Sequence, residues 1–293
     1  MRGYFQLLRP ANVVTALANI LAGYAIVGRG RPEVLPWLLA ATSGLYAGGI
    51  VLNDYFDREV DAVERPERPI PSGRVPASHA AVMGAGLLGF GVLAAFQAGW
   101  VSGVVAVVIA ALVLTYDVVT KRSETLGPPT MGACRAVNLL LGMSAVPAAM
   151  AGHAWLALLP FVYIWAVTLQ SRHEVYRTSS RPAAVALVGV MTVVVAATLL
   201  VVWSFLSVPA GSVGPILALL LVYTFGFRVL RPFWWAWRSD HPQAVRNAVR
   251  AGVLSLTLLD AILATLYAGT LYGLLVLALS AVAYGLARLF AVT

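Results

Sequence analysis

Four oxygen-bearing side chains crowd the end of one apolar run. They are Asn53, Asp54, Asp57 and Asp61, in the stretch NDYFDREVDAVERPERPIPSGRV that covers 53–75. Asn53, Asp57 and Asp61 stand at i, i+4 and i+8, so on a helix they stack along one face. Hard oxygen donors on one face suit Mg²⁺, which binds through a few carboxylates together with the phosphate oxygens of a substrate. Arg65, Arg68 and Arg74 follow at once, among Pro66, Pro69 and Pro71, which stiffen the segment. A chelating face beside arginines reads as a diphosphate site at a membrane edge. The blander reading is a solvated helix end whose charges hold topology, which would not need an Asn and three Asp in register.

The frame around these residues is a membrane frame. Hydrophobic residues make up 60% of the chain and charged residues 11%, against about 45–50% and about 25% in ordinary globular domains. The apolar runs cover nearly the whole chain, so a single integral-membrane domain over 1–293 is expected, with no soluble domain. The net charge of +8 reflects loop arginines and does not indicate nucleic acid. The one cysteine, Cys134, lies inside an apolar run, so there is no disulfide framework and no statement about redox compartment. The first residues, MRGYFQLLRPANVV, carry no small-residue cleavage site, and 12–28 is expected as a retained span, not a signal peptide.

Ten apolar runs are visible, at about 11–28, 36–54, 77–98, 100–117, 130–151, 155–171, 183–206, 213–230, 247–269 and 271–290. Each is close to the roughly 20 residues that cross the hydrocarbon core as a helix. The runs are continuous and lack period-2 alternation, so strands are not expected. With the N-terminus in the cytosol and strict alternation, all 20 Lys and Arg fall inside except Arg29 and Arg31, as the positive-inside rule requires. The expected localisation is a multi-pass protein of a bacterial-type inner membrane, with the N-terminus and active-site loops cytosolic. The outer connections are short, among them Gly99, 152–154 and Thr270, and the chemistry falls to the inner face. The placement of loops after the second and sixth runs hints at an internal duplication.

Other candidates sit on that face or below it. The second inner loop, YDVVTKRSETL over 116–126, puts Lys121 and Arg122 just beyond the membrane edge, where a cation binds phosphate or anchors the helix to headgroups. Arg135 and Asn138 lie inside apolar sequence and either line the pocket or pair with another helix. His173, in the third inner loop, reads as an ordinary surface residue. Trp234, Trp235 and Trp237 fit an aromatic belt. Asp260 is an intramembrane carboxylate, functional by default, with helix pairing as the alternative.

The motif Asn53-Asp54-Tyr55-Phe56-Asp57-Arg58-Glu59-Val60-Asp61, followed by Arg68-Pro69-Ile70-Pro71-Ser72-Gly73, resembles the NDxxDxxxD and RPIPSG elements of the UbiA superfamily of intramembrane prenyltransferases. Tyr116 with Lys121 and Arg122 resembles the Tyr and Lys pattern at the end of that family's fourth helix. The resemblance implies an all-α fold, a polytopic helical bundle of nine to ten transmembrane helices around a central cavity. It implies transfer of a prenyl group from a polyprenyl diphosphate to a small-molecule acceptor, with Mg²⁺, inside the lipid bilayer. Asn53, Asp57 and Asp61 would hold metal, with Asp54 close by. Arg68 and Lys121 would meet the diphosphate, and Tyr116 would face the pocket. Asp57, Asp61 and Lys121 become the catalytic candidates, with Arg122, Arg135 and Asn138 as further pocket candidates.

One element departs from the family pattern. Where a second Asp-rich motif is usual, this chain has Ser171-Arg172-His173-Glu174-Val175-Tyr176. Only Glu174 keeps a carboxylate for metal; Arg172 and Tyr176 are left as substrate-binding candidates. Either Arg172 supplies positive charge in place of a metal or diphosphate binding is weakened. The departure points away from the quinone-making branch, toward members whose acceptor need not be aromatic. A terpene cyclase or diphosphate-cleaving enzyme on the same fold, and a catalytically silent lipid-binding or transport protein, are the alternatives.

Overall fold

The structure is a computed structural model that describes residues 2–173, 181–207, 212–239 and 241–289. Those residues form helices and no strand. In chain order they are α1 (Arg2–Leu8), α2 (Pro10–Ile26), α3 (Leu35–Phe56), α4 (Arg58–Glu64), α5 (Ala77–Ala98), α6 (Trp100–Val118) and α7 (Gly127–Met143). Then come α8 (Pro147–His153), α9 (Leu158–His173), α10 (Arg181–Ser207), α11 (Val213–Arg238), α12 (Pro242–Ala268) and α13 (Thr270–Leu289). Eight of the helical stretches are long and apolar enough to cross a membrane, and the chain is an integral, multi-pass membrane protein. The expected nine to ten are not reached by that measure, because α2 and α7 have 17 residues each.

The fifth apolar run departs from expectation. It is not one helix over 130–151: α7 stops at Met143, and α8 starts at Pro147 and continues toward α9, so that Pro147–Arg172 forms one candidate span. The connection therefore lies at 144–146, not at 152–154. Pro147 explains it. Proline cannot donate to a preceding turn and drives the residue before it out of helical geometry, and Val146 has φ −134° and ψ 83°.

Among the described residues, the two largest of four buried apolar clusters share a seam. One joins α2 and α7 to α9–α13; the other joins them to α3, α5 and α6. α12 is the most enclosed candidate span, with 72% of its apolar window buried. The outward faces of α5, α6, α10 and α11 carry exposed Leu, Val, Phe and Trp, as lipid-facing helices do. Trp234 and Trp235 are exposed, and Arg238 stacks on the rings of Trp234 and Trp237.

Two features fix the helix that carries the acidic motif. The first is close approach. A Cβ on Gly44 would stand 2.7 Å from the Leu87 carbonyl oxygen, and one on Gly48 would stand 2.8 Å from that of Gly84. Small residues let α3 and α5 pack backbone to backbone, a major source of helix association in lipid. The second is continuity. Asp57 N–H donates to Asn53 O at 3.0 Å, Asp61 N–H to Asp57 O at 2.8 Å, and Arg65 N–H to Asp61 O at 2.9 Å. These bonds bridge the break at Asp57 between α3 and α4, and the motif divides its partners: Asn53 and Asp57 turn to Asp117 and Lys121, while Asp54 and Asp61 share Arg68. The segment after it folds into tight turns and is tacked down by buried Ile70 and Val75, packed with Leu7, Val51 and Ala80.

Gly44→Val should break the α3–α5 contact, lowering stability by about 1–3 kcal/mol, the usual cost of overpacking, whereas Gly86→Ala, which meets open space, should change nothing. Thermal unfolding in detergent separates the two.

Candidate functional site

The sequence delivers its charges to one end of the bundle. α2 begins there, α3 and α6 end there, and the 65–76 turns fold back over it. Asp54 is buried on the last turn of α3. Its Oδ1 accepts from Arg9 Nη2 at 2.6 Å and lies 3.5 Å from Arg68 Nη1. The same Arg68 nitrogen donates to Asp61 Oδ2 at 2.6 Å. Asp57 points elsewhere: its Oδ1 lies 2.6 Å from Lys121 Nζ, an ion pair rather than an aligned hydrogen bond. Asn53 Nδ2 donates to Asp117 Oδ1 at 2.8 Å. The other oxygen of Asp117, Oδ2, is buried without a hydrogen-bond partner.

Arg172, the odd residue of the third loop, reaches the same place. Its Nη2 donates to the carbonyl oxygen of Lys121. Gly127 makes room for it, since a Cβ at that position would collide with the guanidinium. Arg172 thus props the short turn that carries Lys121. Tyr116 is half-buried on the last turn of α6, and Arg122 is exposed. Arg135 and Asn138 are buried deeper in the bundle. Glu174 and Tyr176 lie outside the described residues.

Two residues at this mouth escaped the sequence reading. Arg9 looked like a topology charge, and Asp117 was passed over beside Tyr116. The available signal for each was position: both stand where an apolar run meets the inner edge, level with the acidic motif. Burial lowers the pKa of Arg9, and the charge of Asp54 opposes that shift. A guanidinium starts so high that it keeps its proton.

The donors fit a hard cation by type. Asn53, Asp57, Asp61 and Asp117 offer oxygens, and the buried, unpartnered Asp117 Oδ2 lacks a counterpart. Among the described residues no three His, Cys, Asp or Glu side chains already converge on a metal position. Lys121 pairs with Asp57, and Arg68 pairs with Asp61.

Comparison with known proteins places this arrangement. The model described as the UbiA prenyltransferase family matches residues 16–251, well over half of the chain. The chain belongs to the UbiA prenyltransferase family. Among curated proteins it is 34% identical over 145 residues to digeranylgeranylglyceryl phosphate synthase of Ignicoccus hospitalis, covering 50% of this chain and 48% of that one. It is 35% identical over 175 residues to the protein of that name from Methanoregula boonei, covering 59% and 60%. The chain thus spans 48% to 60% of the length of these relatives. A solved UbiA homologue from Archaeoglobus fulgidus bound to GPP and Mg²⁺ superposes with a TM-score of 0.61 at 13% identity, over 94% of this chain and 99% of that one. A structure of a digeranylgeranylglyceryl phosphate synthase superposes with a TM-score of 0.64 at 19% identity, over 90% and 98%. At such identities the superpositions establish the fold, and they extend it across nearly the whole chain.

Arg9→Met leaves Asp54, whose side chain is 6% exposed, with only the longer 3.5 Å contact to Arg68. The expected loss is about 3 kcal/mol, as when one partner of a buried ion pair is removed. Arg9→Met with Asp54→Asn should recover part of it. A double-mutant cycle on unfolding in mixed micelles measures the coupling.

Proposed function

We propose that the chain transfers a prenyl group from a polyprenyl diphosphate to an acceptor, with Mg²⁺, at the inner face of the membrane. One observation carries this reading: Asp54, Asp57 and Asp61, the acids that would hold a metal, are each paired with a cation that would hold the diphosphate. A substrate that brings both metal and diphosphate lets the pairs exchange partners without leaving any charge alone. A prenyl diphosphate reacts as negative charge departs with its leaving group. Mg²⁺ would neutralise that charge, and Arg9, Arg68 and Lys121 would take the remaining oxygens. The apolar bundle behind them would house the tail and keep water from the allylic cation.

Arg172 supports the Lys121 turn through one N–H donated to the Lys121 carbonyl, and the remaining donors of its guanidinium keep it available as positive charge beside the diphosphate. The relatives' names specify a glyceryl phosphate product bearing two geranylgeranyl groups. Geranylgeranyl diphosphate is therefore the donor to try, and a glyceryl phosphate lipid is favoured over an aromatic acceptor. The arginine distribution supports a cytosolic mouth and N-terminus.

The decisive assay is pyrophosphate release from geranylgeranyl diphosphate with geranylgeranylglyceryl phosphate present. The wild-type chain should release it only with Mg²⁺, and chelation should stop it. Asp57→Ala should fold and lose about 10²–10³ in rate. No release with any acceptor would favour a lipid-binding or transport role, and release with no acceptor would favour a cyclase or diphosphate-cleaving enzyme. Arg172→Ala should raise KM for the donor more than it lowers kcat, since it loosens the Lys121 turn without touching the motif.

A further inference from the structure

Below the charged mouth a second polar layer crosses the bundle. Arg135, on α7, is 5% exposed. Its Nη2 donates to Thr15 Oγ1 at 3.1 Å and to Tyr46 Oη at 2.9 Å. The guanidinium also lies over the Tyr46 ring, 4.9 Å from its centre. Nη1 is buried with no hydrogen-bond partner. Among the described residues Arg135 makes no ion pair. A buried guanidinium served only by two hydroxyls and a ring is an expensive arrangement.

The carboxylate of this region belongs to a different chain of bonds. Asp260 is fully buried on α12, and its Oδ1 accepts from Asn19 Nδ2 at 2.8 Å. Asn19 Oδ1 accepts from Asn138 Nδ2 at 3.0 Å, and Asn138 Oδ1 from Thr42 Oγ1 at 2.6 Å. One amide holds Asp260 Oδ1, Oδ2 is buried without a hydrogen-bond partner, and no ion pair joins the carboxylate to Arg135.

The level of Arg135 follows from the register. Tyr46 lies seven residues before Asn53 on α3, Thr15 six after Arg9, and Arg135 eight after the start of α7. At 1.5 Å per residue each is about 10 Å below the mouth. A diphosphate held by Arg9, Arg68 and Lys121 would therefore lie one layer above, leaving the unpartnered Nη1 of Arg135 for a different group. Thr15 Oγ1 spends its proton on Asn12 O at 2.7 Å, whereas Tyr46 Oη accepts from Arg135 and keeps a proton to donate.

We propose that Arg135, with the Tyr46 hydroxyl, binds the phosphate of the acceptor. The inference rests on the prenyltransfer reading and deepens it: the acceptor must carry an anionic oxyacid group beside its nucleophilic hydroxyl. A planar guanidinium with a free edge suits phosphate oxygens, which it meets in a fork.

The test uses the purified full chain in detergent and two lipids, geranylgeranylglyceryl phosphate and the same lipid without phosphate. In thermal unfolding, the phosphate form should stabilise the wild-type chain more than the alcohol does. Arg135→Gln should erase that difference, weakening binding of the phosphate lipid roughly 30-fold or more. Tyr46→Phe should weaken it less and decides the matter with the wild type if Arg135→Gln does not fold. Geranylgeranyl thiodiphosphate with Mg²⁺ should stabilise wild type and variants alike. Equal response of the wild type to both lipids overturns the proposal. So does unchanged binding of the phosphate lipid in the variants. Loss of the thiodiphosphate response in Arg135→Gln also overturns it and assigns Arg135 to the donor. A wild type that ignores the thiodiphosphate counts against the prenyltransfer reading alone, since the lipid comparison stands without it.

Discussion

Opposite charges held together at the edge of a low-dielectric bundle set the terms for this protein. Asp54 and Asp61 are nearly buried, and Asp57 is a quarter exposed. In such a place an unpaired carboxylate costs several kcal/mol, so the acids cannot wait for a ligand uncompensated. Arg9, Arg68 and Lys121 meet that demand. On the proposed reading the same demand would make the site selective, because a ligand that supplies charge of both signs would displace the pairs without leaving one of them bare.

The helices serve this constraint. Glycine contacts bring α3 against α5, backbone bonds across the break at Asp57 carry α3 into α4, and Ile70 and Val75 tie the arginine-bearing turns to α1, α3 and α5. Arg172 holds the Lys121 turn from α9. Charges contributed by four separate parts of the chain thus meet within hydrogen-bonding distance, and each part is anchored by apolar burial next to it. Water exclusion and charge placement come from the same packing.

Much of this was legible in the sequence, and the losses have physical causes. Apolar runs near the span length gave the helices, since a lipid-spanning segment has few alternatives to helix. The i, i+4, i+8 spacing placed the acids at one helix end because backbone periodicity is local. The turn at Asp57 between α3 and α4, which sends Asp61 to Arg68 and leaves Asn53 and Asp57 on Asp117 and Lys121, could not be read from it. The break at 144–146 was hidden by Val146 and Pro147, which are apolar and left the hydropathy of the run unbroken. Arg9 and Asp117 were missed because their roles depend on contacts 45 and 64 residues away, and nothing local distinguishes them from interfacial charges. The partner of each acid was likewise invisible in the sequence: the fold joins the three acids to Arg9, Arg68 and Lys121 through four ion pairs.

The central claim is that metal and diphosphate replace internal partners together. Calorimetric titration of Mg²⁺ into the wild-type chain, with and without a non-hydrolysable geranylgeranyl diphosphate analogue, measures that coupling directly. The account predicts weak Mg²⁺ binding alone and binding at least tenfold tighter with the analogue, a coupling of about 1.4 kcal/mol or more. Equal Mg²⁺ affinity in the two titrations, after correction for Mg²⁺ bound by the analogue itself, would contradict it.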